Sequence, residues 1–249
     1  MSKKPRWEQG KIKQGIKQVK LSSCKFFSDY INQVMLDHTN YIYRGHGDSK
    51  WKLEPTLDRF IKNPTSNKRN EHLEKFKYET RGRRGETPAL IEDENDWWAL
   101  GQHHGLLTPL LDWSESPFVA LYFATISAQK ENKRSYSVFA LNQLSVAKKN
   151  EYIESTNNID LINKRKPMVK IVRPLSNENS RLVCQRGLFT RGPNNMDLES
   201  WIKKFPQEPN TAELIKLTIP TTGIVDCLRY LNRMNINHST LFPDLTGAS

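Results

Sequence analysis

The chain has 249 residues, with 38 Lys plus Arg against 27 Asp plus Glu and a formal net charge of +11. Hydrophobic residues make up 37% and charged residues 26%, the balance of a soluble globular protein able to bury a sizeable core. No uncharged run reaches the roughly 20 apolar residues of a membrane span, and the opening MSKKPRWEQGKIKQG lacks the apolar region of a secretory signal.

Cys24, Cys184 and Cys227 lie far apart and form no CxxC pair. This spacing predicts reduced thiols and a cytoplasmic, intracellular protein rather than a disulfide framework. The positive field favours anionic partners, a nucleic acid or nucleotide among them, and says nothing about fold.

In chain order, residues 1–20 are lysine-rich and poorly patterned, which predicts a basic N-terminal arm that orders late or not at all. The remainder, 21–249, reads as one domain. Phe27, Tyr30, Ile31 and Val34 recur at helical spacing and predict an amphipathic helix over 23–37, capped by Ser22 or Ser23. A short strand over 41–44 runs into Gly45, residues 46–67 read as loop, and a charged helix near 69–80 leads into RGRRG. Acidic residues open a helix over 93–104, TPLLDW is a buried strand, and a largely apolar helix starts at Pro117 behind a serine cap. Strands are expected at 136–141, 168–173, in GLFTRG and at 213–219, with helices at 176–186, 197–204 and 222–234. Without strict βαβ alternation the fold class is α+β: a single domain with a mixed or antiparallel sheet flanked by helices.

Three stretches concentrate polar groups at element junctions. In YRGHGD, Gly45 and Gly47 permit a positive φ that would turn backbone amides inward, while Arg44 presents a planar charged fork suited to phosphate or carboxylate. The same stretch also reads as a glycine turn with a solvent arginine. It is no P-loop, since GxxxxGK[ST] is absent. In WWALGQHHGLLTPLLDWSESPFVALYFA, the side chains of Gln102, His103, His104, Thr108, Asp112 and Ser114 lie among apolar segments, where they must bond one another or a ligand. Asp112 accepting amides at a helix start, with His104 capping the preceding helix, is the bland alternative. In SRLVCQRGLFTRG, Gln185 and Arg186 precede a strand. No third ligand accompanies His103 and His104 at metal spacing, so no metal site is expected. Arg81, Arg83 and Arg84 of RGRRG form a glycine-flanked cationic loop, either a nucleic-acid contact or a solvated turn.

These stretches resemble the FRG domain, a prokaryotic family with an (F/Y)-R-G motif. The matching segments are YRGHGDSKWKLEPTLDR, QHHGLLTPLLDWSESPFVALYFA, SRLVCQRGLF and LFPDL, in that order over about residues 22–249. With that pattern, YRGHGD reads as a ligand-facing turn. The layout is also similar to ADP-ribosyltransferases. That resemblance implies an ADP-ribosyltransferase-like fold, NAD as cofactor, and a setting in toxin or phage-defence systems, with a protein partner or antitoxin conceivable. By it, Arg44 and Gly45 would hold the cofactor, Thr108 and Ser114 would line the nicotinamide cleft, and Gln185 would lie near the ribose. Gln185 stands where those enzymes carry a glutamate, so Asp112 would have to stabilise the ribosyl cation, with His46 or His104 acting on the acceptor. The expectation is an enzyme of this transferase type acting on nucleic acid, nucleotide or protein. A nucleic-acid-binding module or a metal-independent nuclease using His46 and His104 is the alternative.

Overall fold

The computed structural model describes residues 5–174 and 180–248. Among these residues, eight strands form one sheet: β1 (Trp7–Gln9), β2 (Ile16–Leu21), β3 (Tyr41–His46), β4 (Leu110–Ser114), β5 (Ser135–Asn142), β6 (Lys170–Val172), β7 (Gly187–Arg191) and β8 (Leu214–Pro220). Their order is β1-β2-β8-β5-β3-β4-β7-β6, and every neighbouring pair is antiparallel except β2 beside β8. The helices are α1 (Phe27–Tyr30), α2 (Thr56–Phe60), α3 (Lys68–Glu79), α4 (Glu94–His103), α5 (Pro117–Lys130), α6 (Gln143–Ser155), α7 (Ser180–Cys184), α8 (Leu198–Lys204), α9 (Ile224–Arg233) and α10 (His238–Leu241). This is the α+β architecture with a mixed sheet that the sequence predicts. No helix among the described residues is long and apolar enough to cross a membrane.

Strand β5 shows how the sequence builds both faces. Tyr136, Val138 and Ala140 pack into a core shared with α1, α5 and α9, while Phe139 and Leu141 join a second core with Trp201 of α8. That alternation is the two-residue period of a pleated strand. A third, smaller cluster joins Leu57, Leu73 and Trp98 from α2, α3 and α4. Fully burying one such large apolar side chain contributes about 1.5–3 kcal/mol.

Several expectations are corrected. The expected N-terminal arm supplies β1 and β2, the latter pairing in parallel with β8 from Ile16 opposite Leu214. Its buried residues, Ile16, Val19 and Leu21, break the two-residue period, which hid the strand among lysines. The helix over 23–37 is a composite: a 3-10 turn at Cys24–Phe26, then α1, then a π turn at Ile31–Met35, with Ser23 as its cap, Phe27, Tyr30 and Ile31 buried and Val34 half-buried. The stretch read as loop contains α2, and α6, which the sequence reading missed, starts from an Asn142 cap. The first part of the helix expected at 176–186 lies outside the described residues, and α7 is its remainder.

The thiol expectation is also overturned. Cys24 and Cys227 form a disulfide, with Cα atoms 6.0 Å apart across 203 residues of sequence, leaving Cys184 as the exposed free thiol. Both bonded cysteines are buried, and fold topology rather than sequence spacing brings them together.

Strand β3 is central to the site. It pairs with β5 over six residues but meets β4 at one pair, Tyr43 opposite Ser114. The sheet therefore divides into two wings that part beyond this pair. Helix α5 lies against β3, and a Cβ on Gly45 would stand 2.1 Å from the Ala120 carbonyl oxygen. Neither Gly45 nor Gly47 has a positive φ. The glycines serve close helix packing, and the expected inward turn of amides gives way to a strand ladder.

Candidate functional site

Where β3 and β4 diverge, a cleft of about 500 Å³ opens. It draws residues from every stretch singled out by the family resemblance: Arg44 and His46, Gln102 and Asp112, Arg181 and Gln185, and Phe242. A recess of about 290 Å³ adjoins it and shares Arg44, Gln102 and Asp112.

Asp112 is the hub. Arg44 Nη1 donates to its backbone carbonyl at 2.6 Å and to its carboxylate Oδ2 at 3.1 Å. Gln102 Nε2 donates to the other carboxylate oxygen at 2.5 Å, and Thr108 Oγ1 donates in turn to the Gln102 side-chain carbonyl. The Arg44 side chain is 18% exposed and that of Asp112 is 60% exposed, so a sheltered cation and a fixed amide orient a carboxylate that faces open space. Among the described residues lining the cleft, Asp112 is the one carboxylate.

Behind this pair, Arg44 Nε donates to His46 Nε2 at 3.1 Å, which puts the neutral ring's proton on Nδ1. His46 is buried against Phe139. Burial and the Arg44 charge push its pKa down to about 2, opposed only in part by the Trp51 backbone. The ring therefore stays neutral and holds Arg44, in contrast to the expected role on an acceptor.

The other expected residues fall at different places. Ser114 lines the cleft, but its hydroxyl donates to the Gln185 carbonyl at 2.7 Å and accepts from Ser116 N. The Gln185 side chain donates to the Leu241 carbonyl at 3.0 Å, tying α7 to the C-terminal segment. Thr108 is fully buried and acts through Gln102. His104 closes α4 and is exposed outside the cleft, while its neighbour His103 lines it. Burial, with His104 and Arg181 nearby, lowers the His103 pKa and leaves an accessible neutral imidazole. His46 and His104 thus do not make the acid–base pair of the nuclease alternative. Trp51 also lines the cleft, and sequence reasoning missed Arg59, Arg181 and Phe242 as wall residues, although each lies inside a quoted motif. Trp98 is buried in the third core cluster and Trp97 packs against it.

The arginine loop lies apart from the cleft. Arg81 stacks on Tyr78 with its guanidinium 3.4 Å from the ring centre, and Arg84 donates to the Ala89 carbonyl and lies over Trp97. Arg83 also lies outside the cleft lining.

Residues 39–133 match the family model of the FRG domain. The chain carries an FRG domain. The matched segment supplies β3, β4 and α5, and so the Arg44–Asp112 pair. The later wall of the FRG cleft, α7 and Phe242, comes from beyond it. No curated protein and no solved structure matches the chain.

Proposed function

We propose that the FRG cleft binds a nucleotide and acts as an NAD-dependent ADP-ribosyltransferase-like enzyme. The observation that carries this reading is a solvent-facing carboxylate, Asp112, fixed by Arg44 and Gln102 between two adjoining cavities. A transferase needs such a division, one space for the group donor and one for the acceptor, with negative charge between them.

The residues suit NAD chemically. Arg59 is a cation for a diphosphate, with Arg181, paired to Asp244 at 2.5 Å, beside it, and Trp51, Phe123 and Phe242 offer apolar faces for planar rings. When bound, NAD would supply the bond to be broken, between ribose C1′ and the nicotinamide nitrogen, with nicotinamide leaving with the electron pair as the acceptor bonds C1′. The neutral His103 imidazole would take the acceptor's proton, Asp112 would stabilise positive charge developing on the ribose, and Arg44 would keep that carboxylate aimed. Gln185, held by Leu241, contributes to the wall rather than to this charge.

The test is a thermal-shift titration with NAD followed by a nicotinamide-release assay, on wild type, Arg44→Ala and Asp112→Ala. The expected result is a rise in melting temperature lost in Arg44→Ala, and release lost in Asp112→Ala. A wild-type melting temperature unmoved by millimolar NAD, with no release, would overturn the reading.

A further inference from the structure

A second cavity, of about 650 Å³, shares no lining residue with the catalytic cleft. It lies between the starts of α3 and α4, the turn at 162–166, and the adjoining ends of β6 and β7. Its walls carry five cations, Arg69, Arg165, Lys166, Lys170 and Arg191, against the carboxylates Asp93, Glu94 and Glu154.

Local pairing accounts for only part of that charge. Arg69 is neutralised from beneath by the buried Asp58 at 2.7 Å, and Arg191 pairs with Glu94 at 2.8 Å. Lys166 donates to the Glu154 backbone carbonyl, which leaves its charge in place. Arg165 and Lys170 are exposed and have no ion-pair partner among the described residues. Lys170 stands directly opposite Arg191 in the β6–β7 register, and Glu94 offsets the Arg191 charge but leaves that of Lys170 unpaired. Arg165 adds its field at Glu94, whose carboxyl burial would raise but which Arg191, Trp98 and Arg165 together hold below its ordinary range. The amides of Asn70 and Asn163 add hydrogen-bonding groups to the same wall.

We propose that this basin is a phosphate-recognition site, taking the phosphate groups of a nucleotide or of a nucleic-acid backbone. Arg165 and Lys170 contribute the unpaired charge, and Arg191 the third cation. The volume matches a ligand of nucleotide size. This assignment is independent of the chemistry in the Arg44 cleft.

The experiment measures fluorescence anisotropy of a labelled single-stranded RNA of about twelve nucleotides, and in parallel the thermal shift given by pyrophosphate. Wild type is compared with Arg165→Glu/Lys170→Glu and with Lys11→Glu/Lys203→Glu, which changes net charge equally at exposed sites outside the basin. The expected result is a loss of about tenfold or more in RNA affinity for the basin variant and less than about threefold for the control. Pyrophosphate stabilisation that the basin variant alone loses, without RNA binding, supports the same site with a free phosphate ligand. Binding of neither ligand, or equal losses in both double variants, would overturn the proposal. The NAD thermal shift, read on the same variants, separates failure here from failure of the transferase reading.

Discussion

Arg44 donates to the backbone carbonyl of Asp112 at 2.6 Å and to its carboxylate at 3.1 Å, so one guanidinium bridges the gap that the β3–β4 ladder leaves open. The same group reaches back to His46. Structure and proposed chemistry therefore depend on one planar side chain with several donors, a geometry that an ammonium cannot reproduce.

Arg44→Lys tests this dependence. A lysine keeps the charge but cannot serve His46 and both Asp112 oxygens together. The variant should lose about 1–3 kcal/mol of stability and at least about tenfold in nicotinamide release, about 1.4 kcal/mol in the barrier. Chemical denaturation and the release assay read the two effects separately; a variant equal to wild type in both would remove the fork geometry from the account.

His46 predicts a pH dependence with a definite sign. Its folded pKa, about 2, lies below its ordinary value of 6.5. Above pH 6.5 neither state is protonated and the residue is neutral to stability. Below it the unfolded chain takes up a proton that the folded ring refuses, so stability falls with pH by up to about 1.4 kcal/mol per unit. Urea denaturation between pH 7 and about pH 4 should show this component in wild type and lack it in His46→Asn. Equal slopes would sink the assignment.

Gly45→Ala probes the contact between β3 and α5. The added methyl would meet the Ala120 carbonyl oxygen at 2.1 Å and the Ala124 amide nitrogen at 2.6 Å, both backbone atoms. Helix and strand must separate, at a cost of about 1–3 kcal/mol or more. A thermal melt matching that of wild type would show that α5 moves freely.

The start of α5 was legible because Pro117 and the Ser116 cap begin it and a largely apolar run follows. Asp112 and Arg44 were legible as polar groups that needed partners; that they partner each other follows from the sheet order, which no local pattern encodes. Gln102 and His103 were visible in the motif, but choosing His103 over His104 required knowing where α4 turns its last residues. The glycines of YRGHGD were misread in mechanism, since close approach and positive φ demand the same residue and leave the same trace in sequence. Strand β2 and the disulfide escaped because their partners, β8 and Cys227, lie about two hundred residues downstream.

The disulfide has its own measurable outcome. One of the three cysteines, Cys184, should react with a thiol reagent in the native protein, and all three after reduction and unfolding. Removing so long a cross-link by Cys24→Ser should cost about 2–5 kcal/mol in oxidising conditions and little in reducing ones. Three reactive thiols in unreduced, denatured protein would contradict the linkage.

The strand order bears finally on what could be cut out of this chain. Inside the family-matched segment, β3 and β4 touch at a single pair; their long partners, β5 and β7, are both encoded after residue 133. A fragment limited to 39–133 would carry two bare, largely apolar strand edges, held by α5 and by the small α2–α4 cluster that includes Leu110 of β4, the condition that invites intermolecular pairing. The family-matched segment thus leaves its two central strands without their long partners, and folding of β3 and β4 depends on chain that follows it.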